Sequence, residues 1–187
     1  MGSEMCIRDR ERYIPYDSSR GDVPEMADYF TGYRWHTTGL NHDATGFPTT
    51  NPQVCNREEI RMISKVVDHV DEIENFEEFM IDDADICVVA FGSTARAAAV
   101  AVSDARARGI KAGMLRLITL WPFPERKMRE LASQTDKGVI VPEANLGQLI
   151  YEVERLVSGK CPVVGVNKVG GVPIYPGEVL SKIEELA

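Results

Sequence analysis

The segment Glu143-Ala144-Asn145-Leu146-Gly147-Gln148 puts a carboxylate, two side-chain amides and a glycine within six residues. Such a set can hold a polar ligand, and a carboxylate there can in principle take or give a proton. Asn145 is also a good helix N-cap, whereas Glu143 and Gln148 exceed what capping requires. Phe91-Gly92-Ser93-Thr94 is a second candidate. Its glycine allows a tight turn, Ser93 or Thr94 can cap a following helix, and free amides at a helix start favour an anion such as a phosphate. Gly92, Ser93, Thr94, Glu143, Asn145, Gly147 and Gln148 therefore form the expected ligand-binding or interface rim. Capping and loop bracing are the competing structural reading of both segments. No histidine or partner carboxylate stands near Glu143 in the sequence, so no catalytic residue is assigned. The glycine-rich dinucleotide fingerprint and the lysine of a nucleotide-triphosphate loop are both missing.

Trp121-Pro122-Phe123-Pro124 is stiff and apolar. Its prolines fix the backbone, and Pro124 can open a helix. Exposed, the Trp and Phe suit an interface hot spot; buried, they plug the edge of a sheet. The four cysteines, Cys6, Cys55, Cys87 and Cys161, are far apart. Zinc and iron–sulfur centres need clustered thiolates, so no metal site is expected. Cys87 reads as a small core residue. His36, His42 and His69 lack metal-ligand spacing, His69 reads as a surface residue, and adjacency alone does not make His42 and Asp43 a catalytic pair. No serine nucleophile elbow is present.

Short apolar runs at Ile86–Phe91, Gly113–Leu117, Gly138–Val141 and Val163–Val166 read as strands. Between and around them lie helical stretches: Arg57–Ile73 with Asn56 as N-cap, Thr94–Arg108 stopped by Gly109, Pro124–Gln134, Asn145–Ser158, and a last helix opening at Pro176 or Gly177. Strands alternating with helices predict an α/β fold, a three-layer α/β/α arrangement around a mostly parallel sheet. Open parallel sheets place ligands or partners at the carboxyl ends of their strands. Both candidate loops, the Trp-Pro segment and Lys168-Val169-Gly170-Gly171 fall there.

A net charge of −8 argues against nucleic acid as a partner. No run of about 18 apolar residues exists to span a membrane, and the expected compartment is cytoplasmic. Between Val67 and Ile86 lie many acids and no Lys or Arg. That run reads as a solvated helix face and loop, with a docking surface for a basic partner as the rival. Residues 1–10 read as a non-native leader similar to a translated adapter sequence. Residues 11–53 form an irregular, aromatic-rich N-terminal arm, too aromatic for a solvated linker and expected to pack across another surface. Residues 54–187 make the α/β domain.

Five segments occur in order: Thr38-Gly39-Leu40-Asn41-His42-Asp43 with Gly46 and Pro48, Phe91-Gly92-Ser93-Thr94, Leu120-Trp121-Pro122-Phe123-Pro124, Glu143–Gln148 and Gly170-Gly171-Val172-Pro173. From about Arg12 to Ala187 this set resembles the C-terminal part of the alpha subunit of 2-oxoacid:ferredoxin oxidoreductases, most of all the 2-oxoglutarate type. The resemblance implies a fold similar to the transketolase C-terminal domain. It also implies oxidative decarboxylation of a 2-oxoacid, with coenzyme A as acyl acceptor and ferredoxin as electron acceptor. Thiamine diphosphate, Mg and an iron–sulfur cluster are then expected of the full complex, none of them bound by this chain alone. The implied partners are the N-terminal half of the alpha subunit and a beta subunit. A stand-alone module binding a phosphorylated ligand such as coenzyme A is the alternative.

Overall fold

The structure, a computed structural model, describes residues 13–187. The leader reading of Met1–Arg10, and Cys6 with it, lies outside the described residues. The chain divides into two compact units between Val70 and Asp71.

In the first unit the arm folds through side-chain bonds in place of regular elements. The Tyr13 hydroxyl accepts from Ala27 N at 2.9 Å and donates to Glu25 O at 3.4 Å. Its ring lies 4.9 Å from Tyr33 and 5.8 Å from Trp35. Helix α1 spans Pro52–Val67. Its cap is Asn51, whose side chain accepts from Gln53 N and Val54 N, and not the expected Asn56. Proline suits the first helical position, so Asn51-Pro52 starts the helix before the apolar period begins. The expected helix Arg57–Ile73 is also two pieces. Asp68 N reaches back to Ser64 O and Val66 O and closes α1, and α2 (Val70–Ile73) follows as one turn.

Helix α1 turns a charged pair inward. Glu58 is buried and accepts from Arg61 Nε at 2.8 Å and Arg57 Nε at 3.0 Å, while Arg61 Nη1 donates to Asp22 O at 2.6 Å. Burial pushes the Glu58 carboxyl up, but its bonds to Arg61 and Arg57 outweigh that and hold it below 4.5. A depressed folded value means the stabilisation is fully present above the unfolded value and is lost as pH falls through the folded one. The helical chemical shifts of α1, or its amide protection factors after correction for intrinsic exchange, are therefore expected to hold above the ordinary glutamate range and to change as pH falls below it. A flat profile down to the acid end would show that the pair does not hold the helix.

The second unit is a five-stranded sheet with order β1-β3-β2-β4-β5. The strands are β1 (Phe76–Phe79), β2 (Ile86–Phe91), β3 (Ala112–Leu117), β4 (Gly138–Glu143) and β5 (Val163–Asn167). All neighbours are parallel except β1, which runs antiparallel to β3. The central strands are apolar on both faces, as a sheet covered on both sides requires. On one face lie α3 (Thr94–Ala107) and α6 (Pro176–Leu186), packed on Ile86, Val88, Ala112 and Ile140. Buried Ala95, Ala98, Ala101 and Ala105 let α3 lie close to the sheet. On the other lie α4 (Glu125–Gln134) and α5 (Leu149–Val157), packed on Cys87, Val89, Leu115 and Val139. This is the three-layer α/β arrangement expected.

Strand β1 is a correction: the acidic run was expected to be helix face and loop. Phe76 and Phe79 pair with Leu117 and Met114, and Glu77 sits opposite Arg116. A four-residue Phe-Glu-Glu-Phe is too short to show a period; it becomes a strand only against β3. Part of the run is also paired within the molecule. Asp83 pairs with Arg106 at 2.7 Å, Glu77 with Arg116 at 2.8 Å, Glu74 with Arg126 at 3.6 Å, and Glu78 with Lys127. These four acids are therefore spent on cations of the same molecule.

Candidate functional site

The connections out of β2 and β4 run to opposite faces of the sheet, since α3 lies on one and α5 on the other. Adjacent strands with that property flank the topological switch point, where open α/β sheets bind ligands. The loops Gly92–Thr94 and Glu143–Gln148 are the two that flank it. Sequence alone had picked both loops without showing that they are neighbours.

A proline ends the pairing of the two strands before these loops. Val139 N donates to Pro162 O and Lys168 N to Glu143 O, so odd-numbered residues of β4 face β5 and even-numbered ones face β2. Pro142 therefore faces β2 with no N–H to offer. The β2–β4 register runs Ile86↔Gly138, Cys87↔Val139 and Val88↔Ile140 and stops there, while β2 stays paired to β3 through Phe91 and β4 to β5 through Glu143. Pro142 was missed in the sequence reading; the signal available was a proline inside an apolar strand.

Glu143 does what Asn145 was expected to do. It is fully buried, and its carboxylate accepts from Leu149 N at 2.9 Å, Ile150 N at 3.1 Å and Gln148 N at 3.1 Å. A strand-end carboxylate thus caps α5 from six residues upstream and moves the helix start from the expected Asn145 to Leu149. A negative charge on these orphan amides is the favourable partner for a helix N-terminus. Asn145 instead closes a turn: its Oδ1 accepts from Gly147 N at 2.7 Å, and its backbone O accepts from Asn167 Nδ2 at 3.0 Å. Gly147 has φ +105°, which favours glycine. Gln148 stands at the N-cap position, but its own side chain makes no cap bond. Between these bonds the loop leaves Leu146 79% exposed.

The other flank is open. Neither Ser93 nor Thr94 caps α3: Ser93 makes no cap bond, and the buried Thr94 hydroxyl donates back to Phe91 O at 2.8 Å. Gly92 takes φ +56° at the turn. The Trp-Pro segment splits the two readings made of it. Phe123 is buried in the core under α4, while Trp121, joined to Pro122 by a cis peptide, is 59% exposed. After β5, Lys168 Nζ binds Pro173 O at 3.1 Å and Glu178 at 2.7 Å and lies 4.9 Å over the Tyr175 ring.

In the first unit, the segment from Thr38 to Pro48 is a closed loop. His42 Nε2 lies 2.9 Å from Thr38 Oγ1 and its ring stacks on Tyr16, so it is tied to Thr38 and not to Asp43. The Thr45 hydroxyl and backbone amides hold the Asp43 carboxyl below its ordinary range. Burial pushes the Cys87 thiol up to about 12, which makes it an inert core thiol at neutral pH. Among the described residues no three His, Cys, Asp or Glu side chains converge closely enough to hold a metal ion between them. Among them, too, no helix is long and apolar enough to cross a membrane.

Residues 84–179, just over half of the chain, match the pyruvate:ferredoxin oxidoreductase core domain II family. The 2-oxoglutarate synthase subunit KorA of Methanothermobacter marburgensis is 40% identical over 172 residues, 91% of this chain and 46% of that protein. The ketoisovalerate oxidoreductase subunit VorB of Methanothermobacter thermautotrophicus is 35% identical over 98% of this chain and 58% of its own length. The chain thus spans about half the length of the curated relatives it matches. A solved 2-oxoglutarate:ferredoxin oxidoreductase from Magnetococcus marinus, with 2-oxoglutarate, coenzyme A and succinyl-CoA bound, superposes with TM-score 0.76 at 26% identity, over 95% of this chain and 31% of that one. A split-gene transketolase shares the fold, with TM-score 0.51 over 60% of this chain and 41% of its own. These matches lead to one conclusion: the chain belongs to the pyruvate:ferredoxin oxidoreductase core domain II family.

Proposed function

We propose that this chain is the C-terminal part of a 2-oxoacid:ferredoxin oxidoreductase alpha subunit, of the 2-oxoglutarate type, and serves the reaction through assembly. The observation that carries the reading is the 40% identity to a 2-oxoglutarate synthase subunit over 91% of the chain. In the reaction a 2-oxoacid is oxidatively decarboxylated, its acyl group passes to coenzyme A, and the electrons pass to ferredoxin. Thiamine diphosphate, Mg and the iron–sulfur chemistry would be held by the rest of the alpha subunit and by a beta subunit. This chain's own part would be the switch-point rim, with Glu143 holding the α5 loop and Gly92–Thr94 facing a neighbour or a ligand phosphate. A cytoplasmic setting goes with that chemistry.

The purified 187-residue chain is expected to show no 2-oxoglutarate-dependent reduction of ferredoxin or a viologen dye, with or without thiamine diphosphate. Activity is expected once the chain replaces the matching part of a full-length subunit and the beta subunit is added. Turnover by the chain alone would sink the reading. The amides of Ser93 and Thr94, which no side chain caps, favour a second reading as a phosphate-binding module. Micromolar coenzyme A binding to the isolated chain by calorimetry would favour that alternative.

A further inference from the structure

We propose that the outward apolar stripe of α1 is the seat for the other half of a full-length subunit, an inference that rests on the function proposed above. Ile60, Ile63 and Val67 follow each other at three- and four-residue steps, the spacing of a helix-packing seam. They are 57%, 53% and 52% exposed. The same helix buries Glu58 and keeps Arg61 bonded to Glu58 and to Asp22 O. Its amphipathicity is thus inverted: the ion pair faces its own unit and the aliphatic seam faces away. Those bonds fix the rotation of α1, so the seam is not free to turn inward.

The unit around it cannot be held by its own apolar burial. Among its described residues Ala27 and Pro15 are the only buried apolar side chains. Val23, Tyr29 and Phe30 are 71%, 77% and 105% exposed. A monomeric surface seldom leaves that much apolar area in water unless something covers it.

The length of the relatives says what covers it. The match to KorA takes 91% of this chain, and so includes α1, yet spans only 46% of that subunit. More than half of the KorA polypeptide lies outside the match and is available to pack on it. The occupant must present an aliphatic or aromatic face, since residues 60, 63 and 67 carry no charge or hydrogen-bonding group. A second copy of this chain is a poorer fit, because each carries a net charge of −8 and copies repel.

The test places this chain in a full-length KorA-type subunit, in exchange for the matching segment of the Methanothermobacter marburgensis protein. Maleimide labelling of Ile63→Cys is followed by peptide mass spectrometry in that subunit and in the isolated chain, with Glu185→Cys on α6 as the exposed reference. Ile63→Cys is expected to react at least about tenfold more slowly in the full-length subunit, with Glu185→Cys unchanged. Equal rates in both would overturn the inference, whatever the activity of the subunit. Protection in the isolated chain, together with a dimer by light scattering, would assign the stripe to a second copy and overturn it too. Protection in a subunit without 2-oxoglutarate activity would keep the interface and discard the proposed function. If the exchanged subunit does not fold, a cysteine at the position aligned with Ile63 in the parent KorA gives the same comparison, and free labelling there would equally reject the seat.

Discussion

Replacing Glu143 with alanine is expected to destabilise the sheet unit by about 3 kcal/mol. The side chain is fully buried and serves three successive backbone amides, those of Gln148, Leu149 and Ile150. Losing an ordinary cap costs about 1 kcal/mol. Here the lost acceptor is a charged group, and the donors it leaves sit close to the core, where an unmet amide costs about 1–3 kcal/mol. Glu143→Gln should cost roughly half as much, because one oxygen remains while the new NH2 faces donors. Glu143→Asp should behave like alanine, being one methylene too short. Urea denaturation midpoints at unchanged slope would measure the cost, and amide exchange at 148–150 would locate it. A loss under about 0.5 kcal/mol for Glu143→Ala, in the range of an ordinary surface change, would show that the amides have another partner.

Gly113→Ala is expected to cost about 2 kcal/mol or more. A Cβ at residue 113 would stand 2.6 Å from Met80 O, 2.8 Å from Ile81 Cα and 2.9 Å from Ala84 Cβ. Whether the neighbour can yield decides the size of the effect. Arg106 donates to Met80 O and to Ala112 O, each at 2.6 Å, and thereby clamps the turn after β1 onto β3. Relieving the clash must break that clamp or shift β3 in the core. Gly92→Ala is the control. It has φ +56° and no neighbour within 4 Å, so only backbone strain of roughly 1 kcal/mol is at stake. Equal costs for the two substitutions would show that the turn yields freely.

Much of the architecture could be read along the chain because it is local. Ile86–Phe91 is the strand expected, and the others differ at their ends by one or two residues. An apolar run buried on both faces announces itself in one dimension. The N-terminal cap at Asn51 was equally legible in Asn51-Pro52 and was overlooked in favour of the apolar period. Strand β1 was not legible, because its reason to exist is β3 and the cations of β3 and α4 that meet its acids.

The candidate site divides in the same way. Residue types nominated both loops, since glycine, amides and a carboxylate at strand ends are chemistry the chain displays openly. Their adjacency depends on β4 pairing beside β2, which the chain reaches from β3 by a crossover past β2 that no short window contains. The role of Glu143 depends on the same thing: a carboxylate looks reactive in a string of letters and becomes a helix cap only when its own strand aims it at three amides. Composition and periodicity indicated a mostly parallel α/β domain, and the order of its motifs carried the resemblance to an oxidoreductase family. Tertiary structure alone decided which polar groups are already spent on the backbone and which apolar ones are left facing outward, because hydrogen bonds and burial belong to pairs of groups brought together in space.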